Sequence, residues 1–236
     1  SGEYRIGPGA PTNEPVRWVR SGTSYTVERL VPDENGVAWD VSGDGTRVVG
    51  DHQYPGDPFL WIEDVGLLTF SEEMSMVKAI SLDGTTVVGG GLHGATRWTE
   101  EEGYEVLSGP GEPPAGIAHD VNADGSIIVG LLDQAGLPGF LWTEDSGVLD
   151  IRQVFEDDYG FDLTGWTSFY PYYSISPSGQ YFLGAGDYQG SPRSWVAYVP
   201  EPATIGLVLP AGLLLALRRN RPARRTRKNG SFGDGE

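Results

Sequence analysis

Side chains able to do acid–base, metal or stacking chemistry are present in this chain, and their spacing decides what they are for. Adjacent carboxylates occur at Glu72-Glu73, Glu100 to Glu102 and Asp157-Asp158, and paired carboxyls are what general acid–base or glycosidic chemistry requires. Each group falls in a polar stretch, where a solvated acidic loop is the simpler reading. His52, His93 and His119 are 41 and 26 residues apart, without the i, i+4 spacing that places two imidazoles on one metal, so they read as structural or surface residues. Asp44, Asp83 and Asp124 recur before Gly45, Gly84 and Gly125 and could suggest calcium. No copy follows the EF-hand order of ligands, and a turn aspartate bonding nearby backbone amides explains them better. Trp18, Trp61, Trp98, Trp142 and Trp195 also recur; they could stack on sugars or pack one repeat against the next. No nucleophile elbow, phosphate loop or metal cluster is visible. The expectation is a protein without catalytic residues, metal or cofactor, and not an enzyme.

The elements that carry these residues repeat. Residues 41–50 read VSGDGTRVVG, 80–89 ISLDGTTVVG, 121–130 VNADGSIIVG and 175–184 ISPSGQYFLG. Asp-Gly between apolar runs signals a β-hairpin, because glycine takes positive φ without steric cost. Ser178-Gly179 replaces Asp-Gly in the last copy and keeps the glycine. The turn glycines lie 39, 41 and 54 residues apart, and each closing glycine precedes its tryptophan by 9 to 12 residues. Gly7 and Trp18 share the 11-residue spacing, so the chain is expected to open inside a fifth copy, with its true N-terminus and any signal peptide upstream. A period near forty residues indicates a propeller, a solenoid or an array.

Composition narrows the options. There are 35 glycines, 17 prolines and no cysteine in 236 residues; the first two mark turns, and the last removes disulfides and thiolate metal sites. Residues 1–200 carry 30 Asp and Glu against 9 Lys and Arg, whereas the other seven basic residues all fall between Arg218 and Lys228. So acidic a body repels nucleic acid and anionic membranes, which excludes a nucleic-acid partner.

Taken in order, the second copy predicts four short strands, 37–41, 47–50, 59–63 and 67–70, the complement of one propeller blade. The first copy predicts strands at 4–6, 16–19 and 25–31, and the last lacks a fourth strand. Ser71 to Ala79 is a weak helical candidate, and 151–160 (IRQVFEDDYG) a short helix ended by Gly160. The fold class expected is all-β, a propeller-like array of about five β-sheet repeats, followed by a short C-terminal hydrophobic helix.

An apolar strand, V/I-S-x-D-G, a V-V-G-like run and a Trp strand, five times over, resembles the HAF repeats of extracellular bacterial proteins, over residues 4–199. Ser178 departs from the pattern, as do the varied residues Trp39, His119 and Tyr173. The resemblance implies a propeller-like domain and an exported location, and no defined activity.

Beyond the repeats, Pro200, Glu201 and Pro202 precede fifteen uncharged residues, 203–217, and then Arg218-Arg219. As a helix such a stretch is about 23 Å long, short of the roughly 30 Å hydrocarbon core, which suits a transient anchor with the arginines left on the cytoplasmic side. The order of motif, helix and basic stop resembles a PEP-CTERM sorting signal. That resemblance implies processing at Pro200, Glu201 and Pro202 by an exosortase-type membrane protease or transpeptidase.

The domains expected are therefore 1–199, a HAF-like repeat domain truncated at its N-terminus; 200–225, the sorting signal; and 226–236, a polar tail. The expected protein is exported and held briefly in the inner membrane. It is then released to the cell surface or the extracellular matrix, where exopolysaccharide is the candidate partner and the role is structural or binding. The alternative is a propeller-fold carbohydrate-acting enzyme or lectin.

Overall fold

The computed structural model describes residues 14–32, 35–52, 57–109, 116–133 and 139–200, all within one compact unit, Ser1–Pro202. The expected strand at 4–6, Glu201, Pro202, the hydrophobic stretch 203–217, Arg218-Arg219 and the polar tail lie outside the described residues. Among the described residues no helix is long and apolar enough to cross a membrane.

The described residues form an all-β fold, and within each sheet strands adjacent in sequence pair antiparallel. The first sheet holds β1 (Val16–Ser21) and β2 (Ser24–Arg29). The second holds β3 (Gly36–Val41), β4 (Arg47–His52), β5 (Asp57–Ile62) and β6 (Gly66–Thr69). The third runs through β7 (Met76–Ile80), β8 (Thr86–Gly91), β9 (Gly94–Thr99) and β10 (Gly103–Val106). The fourth comprises β11 (Gly116–Val121), β12 (Ile128–Leu132), β13 (Gly139–Thr143) and β14 (Gly147–Asp150). The fifth has three strands, β15 (Trp166–Ile175), β16 (Tyr181–Tyr188) and β17 (Ser191–Tyr198). Antiparallel meanders of this kind are not the stacked parallel coils of a β-solenoid.

The repeated turn is a hydrogen-bonded unit. Gly45, Gly84, Gly125 and Gly179 have φ of 75°, 77°, 76° and 72°, the left-handed region that favours glycine. Asp44 Oδ1 accepts from the Thr46 amide at 3.0 Å and from Ser42 Oγ at 2.7 Å. Asp83 repeats this with Thr85 and Ser81, and Asp124 with Ser126. Ser178 keeps a longer version, its Oγ 3.4 Å from the Gln180 amide. Two residues earlier, Ser42, Ser81, Asn122 and Ser176 each accept the amide five residues on, so the turn is pinned twice. The recurrent aspartates thus hold turns.

Sheets stack face to face in chain order. Successive turns are joined through the backbone: Gly43 N–H donates to Leu82 O (2.7 Å), Asp83 N–H to Ala123 O (3.0 Å) and Ala123 N–H to Pro177 O (3.0 Å). Tryptophans fill the gaps between sheets. Trp61 packs with Leu30 and Val31, which follow the first sheet. Trp98 packs on Val49 and Leu60 of the second, Trp142 on Val88 of the third, and Trp195 on Val129 and Leu141 of the fourth. Burying one aromatic per interface stabilises by about 1.5–3 kcal/mol each. Arginines cap the same gaps: Arg17 lies 4.4 Å from the Trp61 ring centroid and pairs with Glu63 at 2.5 Å, and Arg97 lies 4.8 Å from that of Trp142.

Two local expectations change. The helical candidate at 71–79 shrinks to one 3-10 turn, Glu72–Met74, because Val77, Ala79 and Ile80 are buried by pairing as β7. Residues 169–173 lie inside the ten-residue β15. Trp195 is out of register with the other tryptophans. It pairs with Gly184, as Phe59 pairs with Gly50 and Phe140 with Gly130, so Ala197 holds the place of Trp61 and Trp142. The helix at 151–160 is present as an α-turn, Ile151–Gln153, capped by the Asp150 side chain, and a π-turn, Val154–Asp158, with Gly160 at φ 68°.

Candidate functional site

The first strands of sheets two to five stand side by side, and each carries an irregularity. Pairing shifts between Ala38 and Asp40, Val77 and Ala79, Ala118 and Asp120, and Tyr170 and Ser174. A bulge pushes one residue out of the ladder and re-aims its neighbours. The extra residues are Trp39, Lys78 and His119, with 171–173 in the last sheet.

The bulge explains the closing glycine of each repeat. A Cβ on Gly50 would lie 2.0 Å from Val37 O, on Gly89 1.9 Å from Met76 O, on Gly130 2.2 Å from Ile117 O and on Gly184 2.0 Å from Tyr170 O. The partner strand's carbonyl turns onto the glycine at each bulge, and no other residue leaves room for it.

Beside the bulge sit two half-buried carboxylates. Asp40 Oδ2 accepts the Ile80 amide of the next sheet at 2.9 Å, and its Oδ1 the Val41 amide at 2.8 Å. Asp120 Oδ2 accepts the Ile175 amide at 2.8 Å and Ser174 Oγ at 2.7 Å, and its Oδ1 the Val121 amide at 2.8 Å. Burial pushes both carboxyls above the ordinary aspartate range, against the lowering effect of these hydrogen bonds. Both are spent on joining sheets. Neither was legible as an inter-sheet link, because the bonds span 40 and 55 residues.

The bulge residues make a mixed row. Lys78 Nζ lies 5.5 Å from the Trp39 ring centroid, a cation–π distance, and Trp39, 44 % exposed, donates its Nε1–H to Asp51 at 2.6 Å. Burial, and then the Lys78 ammonium, hold the His119 imidazole below its usual range, so it is neutral near pH 7. An exposed indole beside an ammonium and a neutral imidazole can bind a polar ring or an anionic group.

The other residues singled out in the sequence stay apart. His93 is exposed in the β8–β9 turn, and His52 belongs to β4. Glu72, Glu73, Asp157 and Asp158 are exposed, and Glu100 and Glu102 each pair with an arginine, Arg47 and Arg97, at 3.0 Å. Among the described residues no group of three or more His, Asp or Glu could hold a metal ion. At the end of the domain, Val199 is buried and donates its amide to Gln180 O at 2.8 Å, whereas Pro200 is exposed.

No family model and no curated protein matches the chain. Among solved structures, TolB from Acinetobacter baumannii is similar with a TM-score of 0.35 and 11% identity, over 58% of this chain and 41% of that one. A protein assigned as TolB from Agrobacterium tumefaciens is similar with a TM-score of 0.45 and 12% identity, over 75% and 66%. The chain therefore spans less than two thirds of the length of each, and likenesses of this size carry no argument about function.

Proposed function

We propose that this is an exported repeat protein whose five sheets are the blades of a propeller-like domain. An exosortase-type membrane protease or transpeptidase processes it at Pro200-Glu201-Pro202. The mature protein serves at the cell surface or in the extracellular matrix as a non-enzymatic structural or binding module. The observation that carries this reading is the order of segments after Val199: Pro-Glu-Pro, fifteen uncharged residues, two arginines. The buried Val199 and the exposed Pro200 that follows it support the reading, because a processing enzyme needs an extended segment, and both prolines disfavour helix there. Mass spectrometry of the native secreted form tests it. A C-terminus near Pro200–Pro202 is expected, and a chain intact through Glu236 overturns it.

A lectin-like reading has its own support in the row of Trp39, Lys78 and His119. An indole face with a neighbouring cation suits an acidic saccharide. A glycan screen of the protein and of Trp39→Ala tests this: loss of a glycan signal on substitution supports it, and the absence of any signal from the unsubstituted protein sinks it.

A further inference from the structure

Sheets two to five share one pairing at the closing glycine, Gly50 with Phe59, Gly89 with Thr96, Gly130 with Phe140 and Gly184 with Trp195, so the fate of each face can be read across them. On sheets two to four, the face turned to the following sheet is centred on Val49, Val88 and Val129, each 0 % exposed. Their cross-strand partners are Leu60, Arg97 and Leu141. Val49 packs against Val87 and Trp98 of the third sheet, Val88 against Ile128 and Trp142 of the fourth, and Val129 against Phe182 and Trp195 of the fifth. On the fifth sheet the same place belongs to Leu183, paired with Val196. These are 39 % and 69 % exposed. Tyr181 and Tyr198, paired beside them with ring centroids 5.0 Å apart, are exposed as well.

An apolar sheet face that is open while its three equivalents are covered is an interface without its partner. The molecule itself shows what covers such a face: the tryptophan side of another repeat sheet. The first sheet presents that side. Trp18 holds the register place of Trp61, Trp98 and Trp142, with Val27 across from it as Leu67, Tyr104 and Val148 are in theirs. Trp18 is only half-buried, and Val27 and Tyr25 are exposed. We propose that the Leu183/Val196 face of one molecule docks on the Trp18/Val27 face of a second copy, continuing between molecules the stacking that joins sheets within one.

Such a contact is heterologous, since two different surfaces meet, and it propagates head to tail. One sheet face is a small interface, which makes the association weak and concentration-dependent. The net charge of −17 opposes it, so added salt strengthens it by screening.

Sedimentation velocity on the full chain, over a range of concentrations, tests the proposal. The unsubstituted protein should show a sedimentation coefficient rising with concentration and with salt. Val196→Glu and, separately, Val27→Glu should each abolish the rise, and an equimolar mixture of the two should form a dimer and nothing larger. Leu183→Glu and Trp18→Ala serve as second variants on the two faces, with thermal melting to establish that each is folded. A protein monomeric at every concentration overturns the proposal. So does association that survives both Val196→Glu and Val27→Glu, which would assign it to the hydrophobic stretch 203–217. Loss in Val196→Glu alone means that like faces meet, and overturns it too.

Discussion

Asp120 and Ile175 lie on neighbouring sheets, 55 residues apart in sequence, and the aspartate carboxylate accepts the isoleucine amide at 2.8 Å. The same bond joins Asp40 to Ile80 at 2.9 Å. Between the third and fourth sheets the equivalent residue is Ala79, which offers no carboxylate, and a turn-to-turn bond from Asp83 N–H to Ala123 O joins them, as its counterparts join the other pairs. Removing a half-buried acceptor leaves its donors unsatisfied, at about 1–3 kcal/mol. Asp120→Ala and Asp40→Ala should each lower stability by about that amount in urea unfolding. An effect within about 0.5 kcal/mol, as for an ordinary surface change, would remove the carboxylates from the set of inter-sheet ties.

The closing glycines should be among the least tolerant positions. A Cβ at residue 130 would meet Ile117 O at 2.2 Å and the Phe140 ring at 2.6 Å, so Gly130→Ala must displace backbone or the aromatic. A loss of about 3 kcal/mol or more is expected. Gly45, by contrast, has open space around its missing Cβ but a φ of 75°. Gly45→Ala should cost only the left-handed strain, about 1 kcal/mol. Equal losses at the two positions would contradict the distinction.

Acid should loosen the turns. Hydrogen bonds from Ser42 and Thr46 hold the Asp44 carboxyl down at about 2, and Asp124 is lowered chiefly by Ser126. Asp83 is also lowered: burial alone would raise it, but the bonds from Ser81 and Thr85 together prevail. A folded pKa below the unfolded value of about 3.9 means stability that is present above that pH and is lost as pH falls through the folded value. Asp44→Asn combined with Asp124→Asn should therefore flatten the decline in melting temperature below about pH 4.

Asp40 and Asp120 work in the opposite sense, because their folded pKa is raised. Their contribution is fully present below about pH 3.9 and is lost as pH rises through the folded value. Asp120→Asn should remove that component, with stability measured at several pH values between acid and neutral. An unchanged pH profile would remove burial as the controlling cause.

Phe155 ties the inserted helical turn to the fifth sheet. Its ring lies 5.1 to 6.1 Å, centroid to centroid, from Phe161, Phe169, Phe182 and Trp195, and it is fully buried. Phe155→Ala should lower stability by about 3–5 kcal/mol through the cavity it leaves. A change below about 1 kcal/mol would mean that the insertion is dispensable to the packing of sheets four and five.

Local physics is legible in this sequence. Asp-Gly and Ser-Gly specify turns because a two-residue choice sets both φ and the side-chain acceptor, and alternating apolar runs specify strands through the period of two. That sufficed for five repeats, a four-stranded middle and the short last sheet. Pairing across sheets was not legible, because it depends on contacts 40 to 55 residues apart that no window of sequence contains. The bulge is such a case: only the three-dimensional approach of the Ile117 carbonyl to Gly130 shows why the repeat must end in glycine. Register is another. The equal spacing of Gly50 to Trp61 and Gly184 to Trp195 looks like equivalence, yet β17 is paired two residues out of step, and the aromatic over Gly184 is the tryptophan itself. Spacing counts residues along one strand, whereas register is decided by the partner strand and by the turn that joins them.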